Sequence, residues 1–185
     1  MCPRHRRRRP ARGFTLIECA VVIAIAVLLL HVAAPGLGRT TAARALEAQA
    51  GEFMSTLRFA RAQAVARGGV VTVCATDASA PPAAPRCRAA GPADWRDGWL
   101  VFADAGARGR IEAGDRLLRV QQALAHSGGI AGTRGFVSFN AGGFSPDAAS
   151  HYLFEPEPGA DAPPALLVCV SKQGRPRRAA AEACL

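Results

Sequence analysis

The sequence predicts an α+β chain in which one long N-terminal helix is followed only by strands. Three observations predict it. An apolar run at residues 14–34 leads, past Pro35, into an amphipathic pattern that ends at Gly68-Gly69. After Gly69 the hydrophobic period changes from steps of three and four to short β-prone runs. No helical pattern returns, so the helix is expected to pack on an antiparallel β-sheet head.

Residues 1–13 hold Arg4, Arg6, Arg7, Arg8, Arg9 and Arg12 and no acid. The formal charge of +9 for the whole chain therefore misleads: without this leader 17 basic residues face 14 acidic ones. Whole-chain basicity is thus poor evidence for any partner. The run at 14–34, FTLIECAVVIAIAVLLLHVAA, would reach about 31 Å as a helix, enough to cross a bilayer core. The arginines before it favour a cytoplasmic leader and an exported C-terminus. A cleaved secretory signal, cut near Val32-Ala33-Ala34, is the ordinary alternative. Two features oppose it. Glu18 lies inside the apolar run, where an acid costs about 2.5–3.5 kcal/mol on the insertion scale. Helical patterning also resumes beyond Pro35 rather than giving way to a loop.

Arg12-Gly13-Phe14-Thr15-Leu16-Ile17-Glu18 resembles the processing site of type IV prepilins and type II secretion pseudopilins. The resemblance implies cleavage between Gly13 and Phe14 by a prepilin peptidase, with N-methylation of Phe14. It implies that Glu18 meets the N-terminal amine of a neighbouring subunit, so that each charge in the apolar bundle has an opposite partner. It also implies a kink at Pro35, the familiar position of a pilin proline.

From Thr40, Leu46, Ala50, Phe53, Leu57, Ala60 and Ala64 alternate steps of four and three, as one helical face requires. Gly68-Gly69 supplies a stop. The expected organisation is a leader at 1–13, a transmembrane and assembly helix at 14–34, an amphipathic helix at 35–69 and a β-rich periplasmic head at 70–185. Strands are expected at Val70–Ala75, Trp99–Ala103, Arg116–Gln122, Phe136–Asn140, Tyr152–Glu155 and Leu166–Ser171, with a Pro- and Ala-rich loop at 78–93.

Cys2 falls in the leader and Cys19 in the apolar run, which leaves four cysteines in the head. Four allow three pairings, and sequence proximity favours Cys74–Cys87 and Cys169–Cys184. Disulfides would place the head outside the cytoplasm. No C-x-x-C spacing occurs, and His5, His31, His126 and His151 are scattered, so no metal or cofactor is expected. The segment Asp104–Arg110 lacks calcium ligands at Gly106 and Arg108 and reads as a turn. No catalytic signature is recognisable, and an enzyme is not expected.

The order of head landmarks resembles the FimT/GspH family of minor pilins. They are VTVCA after the helix, Asp97-Gly98-Trp99-Leu100-Val101-Phe102, Leu117–Val120, Phe136–Phe139 with Gly142-Gly143, and a late Cys169 strand. Between Cys169 and Cys184 lies Lys172-Gln173-Gly174-Arg175-Pro176-Arg177-Arg178, read as the tip of a disulfide-closed loop. If extended, it aims Arg175 and Arg177 the same way, and guanidinium pairs suit phosphates. Gly174-Arg175-Pro176-Arg177 resembles the GRxR motif of FimT-type pilins that bind DNA during natural transformation. That implies DNA contacts from Arg175 and Arg177; Lys172 and Arg178 join them on charge alone. The expected partners are prepilin peptidase, other major and minor pilins, the inner membrane and DNA held without sequence preference. The alternative is a GspH-like structural pseudopilin of a type II secretion system, which needs no nucleic acid.

Overall fold

Helix α1 spans Leu16–Arg67. The structure, a computed structural model, describes residues 14–125, 127–147, 149–159, 162–179 and 184, without the side chains of residues 30–37. The leader and Gly13 lie outside the described residues. Thr15 opens the helix: its Oγ1 accepts the Glu18 N–H at 3.3 Å. Thr-x-x-Glu is the sequence form of a capping box, and an acid in the first turn also suits the positive end of the helix dipole. At the other end Gly68 turns left-handed with φ 64°, and the Gly69 N–H returns to the Ala64 carbonyl at 3.2 Å.

The chain divides into two units that meet between Gly38 and Arg39. In the first, Phe14, Leu16, Ile17, Val22, Ile23, Leu28 and Leu29 are all exposed. Among the described residues no helix is long and apolar enough to cross a membrane. The run read at 14–34 has described side chains only as far as Leu29. The backbone stays helical through Pro35, whose side chain is outside the description.

The second unit carries the head. Its strands are β1 (Val70–Ala75), β2 (Ala93–Asp94), β3 (Trp99–Asp104), β4 (Arg116–Gln121), β5 (Gly129–Gly132), β6 (Phe136–Phe139), β7 (Ser150–Glu155), β8 (Leu166–Val170) and β9 (Pro176–Ala179). They form two antiparallel sheets rather than one, β4-β3-β1-β6 and β2-β5-β7-β8-β9. All six residues of the helical stripe, Leu46 to Ala64, are buried. They join one core with Val71, Val73, Trp99, Val101 and Phe139 of the first sheet and Ile130, Tyr152, Phe154 and Val168 of the second. At its centre Phe53 meets Trp95, Trp99, Tyr152 and Phe154 edge-on, with ring centroids 4.7–5.6 Å apart.

The far face of the first sheet is covered as well. Cys74, Leu100 and Phe102 point away from the helix and pack with Cys87, Ile111 and Phe136. This second layer explains why β1 and β3 read as nearly continuous apolar runs instead of alternating. The structure joins Cys74 to Cys87, clipping the Pro-rich loop onto β1. Beside it Thr72 donates to Asp104 Oδ2 at 2.6 Å and lies 3.1 Å from Ser138 Oγ. Burial outweighs that hydrogen bond and raises the Asp104 carboxyl above its ordinary range. The Asp104–Arg110 segment is a turn: the Ala105 and Glu112 amides donate to Asp115, and Gly106 donates to Asp104.

Candidate functional site

The basic segment forms the turn and returning strand of a β-hairpin, within the loop that the Cys169–Cys184 bridge closes. Sequence reading missed β9, whose Pro176 and three-arginine neighbourhood carry no apolar alternation. A proline at the first position of an edge strand is nonetheless permitted, because its missing N–H is not needed there. The register pairs Val170 with Pro176, Cys169 with Arg177 and Val168 with Arg178. The turn is closed by the Gly174 N–H to the Ser171 carbonyl at 2.8 Å and the Ser171 N–H to the Arg175 carbonyl at 3.3 Å. The structure joins Cys169 to Cys184, so the disulfide crosses from β8 to the chain beyond β9.

Gly174 has a structural task. It sits at φ 71°, and a Cβ there would fall 2.2 Å from the Gly143 carbonyl oxygen. The hairpin turn thus lies backbone to backbone on the turn at residues 140–144. Asn140 shapes that turn, its Oδ1 accepting from the Gly142 and Phe144 amides, both at 3.0 Å. Two further bonds lock the assembly. The Ser145 N–H donates to the Lys172 carbonyl at 3.0 Å, and Arg61 Nε on α1 donates to the Gly143 carbonyl at 2.8 Å.

The four predicted cations part company on this frame. Lys172 and Arg175 are exposed at the turn. Arg177 shares the outer face of the sheet with Cys169 and, with Lys172, Ser150, His151 and Ser171, lines a shallow depression of about 320 Å³. Arg178 alternates to the inner side with Val168 and donates to the Glu47 carbonyl of α1 at 3.0 Å. It therefore ties the edge strand to the helix instead of extending the basic cluster. Arg61, one helical turn after Arg58, likewise gives a guanidinium hydrogen bond to a backbone carbonyl and ties α1 to the turn that supports the hairpin. Sequence reading missed Arg61 because it lies more than a hundred residues upstream; the only cue was its place off the apolar stripe. Among the described residues no group of three or more His, Cys, Asp or Glu could hold a metal ion.

A long N-terminal helix with an exposed apolar start and an antiparallel head packed on its later turns defines the type IV pilin fold. The chain belongs to the GspH family: the model described as type II transport protein GspH matches residues 49–174. The prokaryotic N-terminal methylation motif matches residues 8–34. No curated protein matches the chain. Among solved structures it is similar to the type IV minor pilin FimU of Pseudomonas aeruginosa in two crystal forms. One shares 18% identity, covering 76% of this chain and 95% of that one, with a TM-score of 0.54. The other shares 16%, covering 75% and 99%, with a TM-score of 0.52. The chain thus joins a GspH-family head to an N-terminal methylation motif, and its fold is that of a type IV pilin.

Proposed function

We propose that this protein is a non-enzymatic minor pilin of a type IV pilus that holds DNA, without sequence preference, on the hairpin Lys172–Arg177. The observation that carries the reading is the fixed backbone beneath exposed cations. Gly174 is seated on Gly143, the turn is bonded to residue 145, and Arg175 is exposed on it. Ordering before contact lowers the entropy lost on binding. Lys172, Arg175 and Arg177 offer charge to phosphates, and no recognition helix or base-reading ribbon stands nearby.

The N-terminal part of the proposal follows from the methylation motif match. Prepilin peptidase cleaves after Gly13, Phe14 is methylated, and residues 14–34 hold the subunit in the inner membrane with the head periplasmic. Glu18, already at the helix start, neutralises the amine of the adjoining subunit's Phe14 during assembly, and Pro35 marks a bend.

The test is salt-dependent DNA binding by the full chain in detergent, wild type against Arg175→Ala/Arg177→Ala. The wild type should bind more weakly as salt rises, with log K falling by about 0.9 per phosphate neutralised on duplex. The double variant should lose binding, or retain a slope shallower by about two such contacts. Unchanged affinity and slope would reject the DNA reading. A second reading is favoured by the description of the matching family: a structural pseudopilin of a type II secretion system, which would show no DNA binding in either form.

A further inference from the structure

The turn beneath the basic hairpin carries a feature that phosphate binding does not use. Phe144 is 54% exposed, whereas Phe53, Phe102, Phe139, Phe154, Trp95, Trp99 and Tyr152 are fully buried. Among the described aromatics of the head it alone is exposed. Its backbone is held on both sides: the Phe144 N–H donates to Asn140 Oδ1 at 3.0 Å, and its carbonyl accepts the Asn140 N–H at 2.9 Å. The ring lies over Gly142, where a Cβ would come within 3.0 Å of Cδ2. Next in the chain, the Ser145 N–H binds the carbonyl of Lys172, and the preceding Gly143 carbonyl takes Arg61 and supports Gly174. An exposed aromatic ring therefore stands on a fixed backbone turn whose neighbouring residues, Gly143 and Ser145, are bonded to Arg61 and to the Lys172 carbonyl.

We propose that Phe144 is a base-stacking platform and that this site takes single-stranded DNA in preference to duplex. The inference rests on the DNA-binding reading above and narrows its substrate. A cationic groove that tracks the backbone, joined to an aromatic on which a base can stack, is the general recipe for sequence-blind single-strand binding. In a duplex the base faces are covered by their neighbours and cannot reach the ring. In a single strand they can, and the nearby cations hold the flanking phosphates.

The experiment measures fluorescence anisotropy of a labelled oligothymidylate and of a duplex against the full chain in detergent. It compares wild type, Phe144→Ala, Phe144→Trp and Arg175→Ala/Arg177→Ala. Wild type should favour the single strand. Phe144→Ala should weaken single-strand binding by about tenfold, while duplex binding falls far less. Phe144→Trp should keep the preference, and its emission should be quenched by oligothymidylate, against the buried Trp95 and Trp99 as background. Equal loss on both DNAs, or no loss with Phe144→Ala, overturns the inference while leaving the arginine-dependent binding intact. Failure of the wild type to bind either DNA overturns both. Circular dichroism of Phe144→Ala should match wild type, since the ring is already half in water.

Discussion

Replacing Phe53 with alanine is expected to destabilise the head by about 3–5 kcal/mol, the range for removing a fully buried aromatic side chain. Phe53 is 0% exposed and stands on α1 where Trp99 of the first sheet, Tyr152 and Phe154 of the second and Trp95 of the β2–β3 connection converge. Its loss leaves a cavity that those rings cannot readily fill, because each is held by its own strand or loop. Trp95, for example, donates its Nε1–H to the Arg134 carbonyl at 2.9 Å. It also removes edge-to-face contacts, worth about 0.5–1.5 kcal/mol per pair beyond area. Urea unfolding followed by circular dichroism should show a lower midpoint with a similar slope. Phe53→Leu, which keeps most of the volume, should cost clearly less. Equal stability of Phe53→Ala and wild type would mean that helix and sheets do not share this core.

The second large effect is expected from Cys74→Ser/Cys87→Ser. The bridge closes a sequence separation of 13, and releasing a loop of that size costs about 3 kcal/mol in the chain-entropy model. Cys74 is 0% exposed, between Leu100 of β3 and Phe136 of β6 in the second apolar layer, so serine there also brings a hydroxyl into an apolar site. The damage should spread from the Pro-rich loop. Thr76 bridges Cys87, and Arg88 pairs with Asp97 at 2.6 Å just before β3. Limited proteolysis should cut the double variant first within residues 78–92, and its melting temperature should fall. A variant as stable and as resistant as wild type would contradict this role.

Much of the architecture was legible because it rests on periodicity. The stripe from Leu46 to Ala64 follows from helical spacing, and every member is buried. The Gly68-Gly69 stop falls where the helix ends. The six expected strands lie where structure places β1, β3, β4, β6, β7 and β8, within a residue or two at their ends. What periodicity cannot express went unread. β5, Gly-Ile-Ala-Gly, has too few side chains for a pattern, and its pairing is set by β7 alongside it. β2 has only two residues. The division into two sheets is a matter of which strand neighbours which, and no single strand encodes that.

The site divides in the same way. Lys172, Arg175 and Arg177 stand out in the sequence by type and order. Arg178 was grouped with them because charge carries no face; the register with Val168 sends it to the helix. Arg61 and Phe144 escaped notice because each is unremarked in its own segment. They acquire meaning only where the 140–144 turn meets both α1 and the hairpin. Gly174 carried a cue in its sequence, yet the carbonyl it must approach belongs to Gly143, some thirty residues earlier.

The proposed function places DNA on the hairpin turn and its supporting turn. Ultraviolet cross-linking of DNA to the full chain, with the adducted peptides read by mass spectrometry, tests it directly. Adducts are expected within residues 140–145 and 171–178, with their loss in Arg175→Ala/Arg177→Ala. Adducts centred elsewhere, for instance around the exposed Arg116 of β4, or adducts that persist in the double variant, would contradict it.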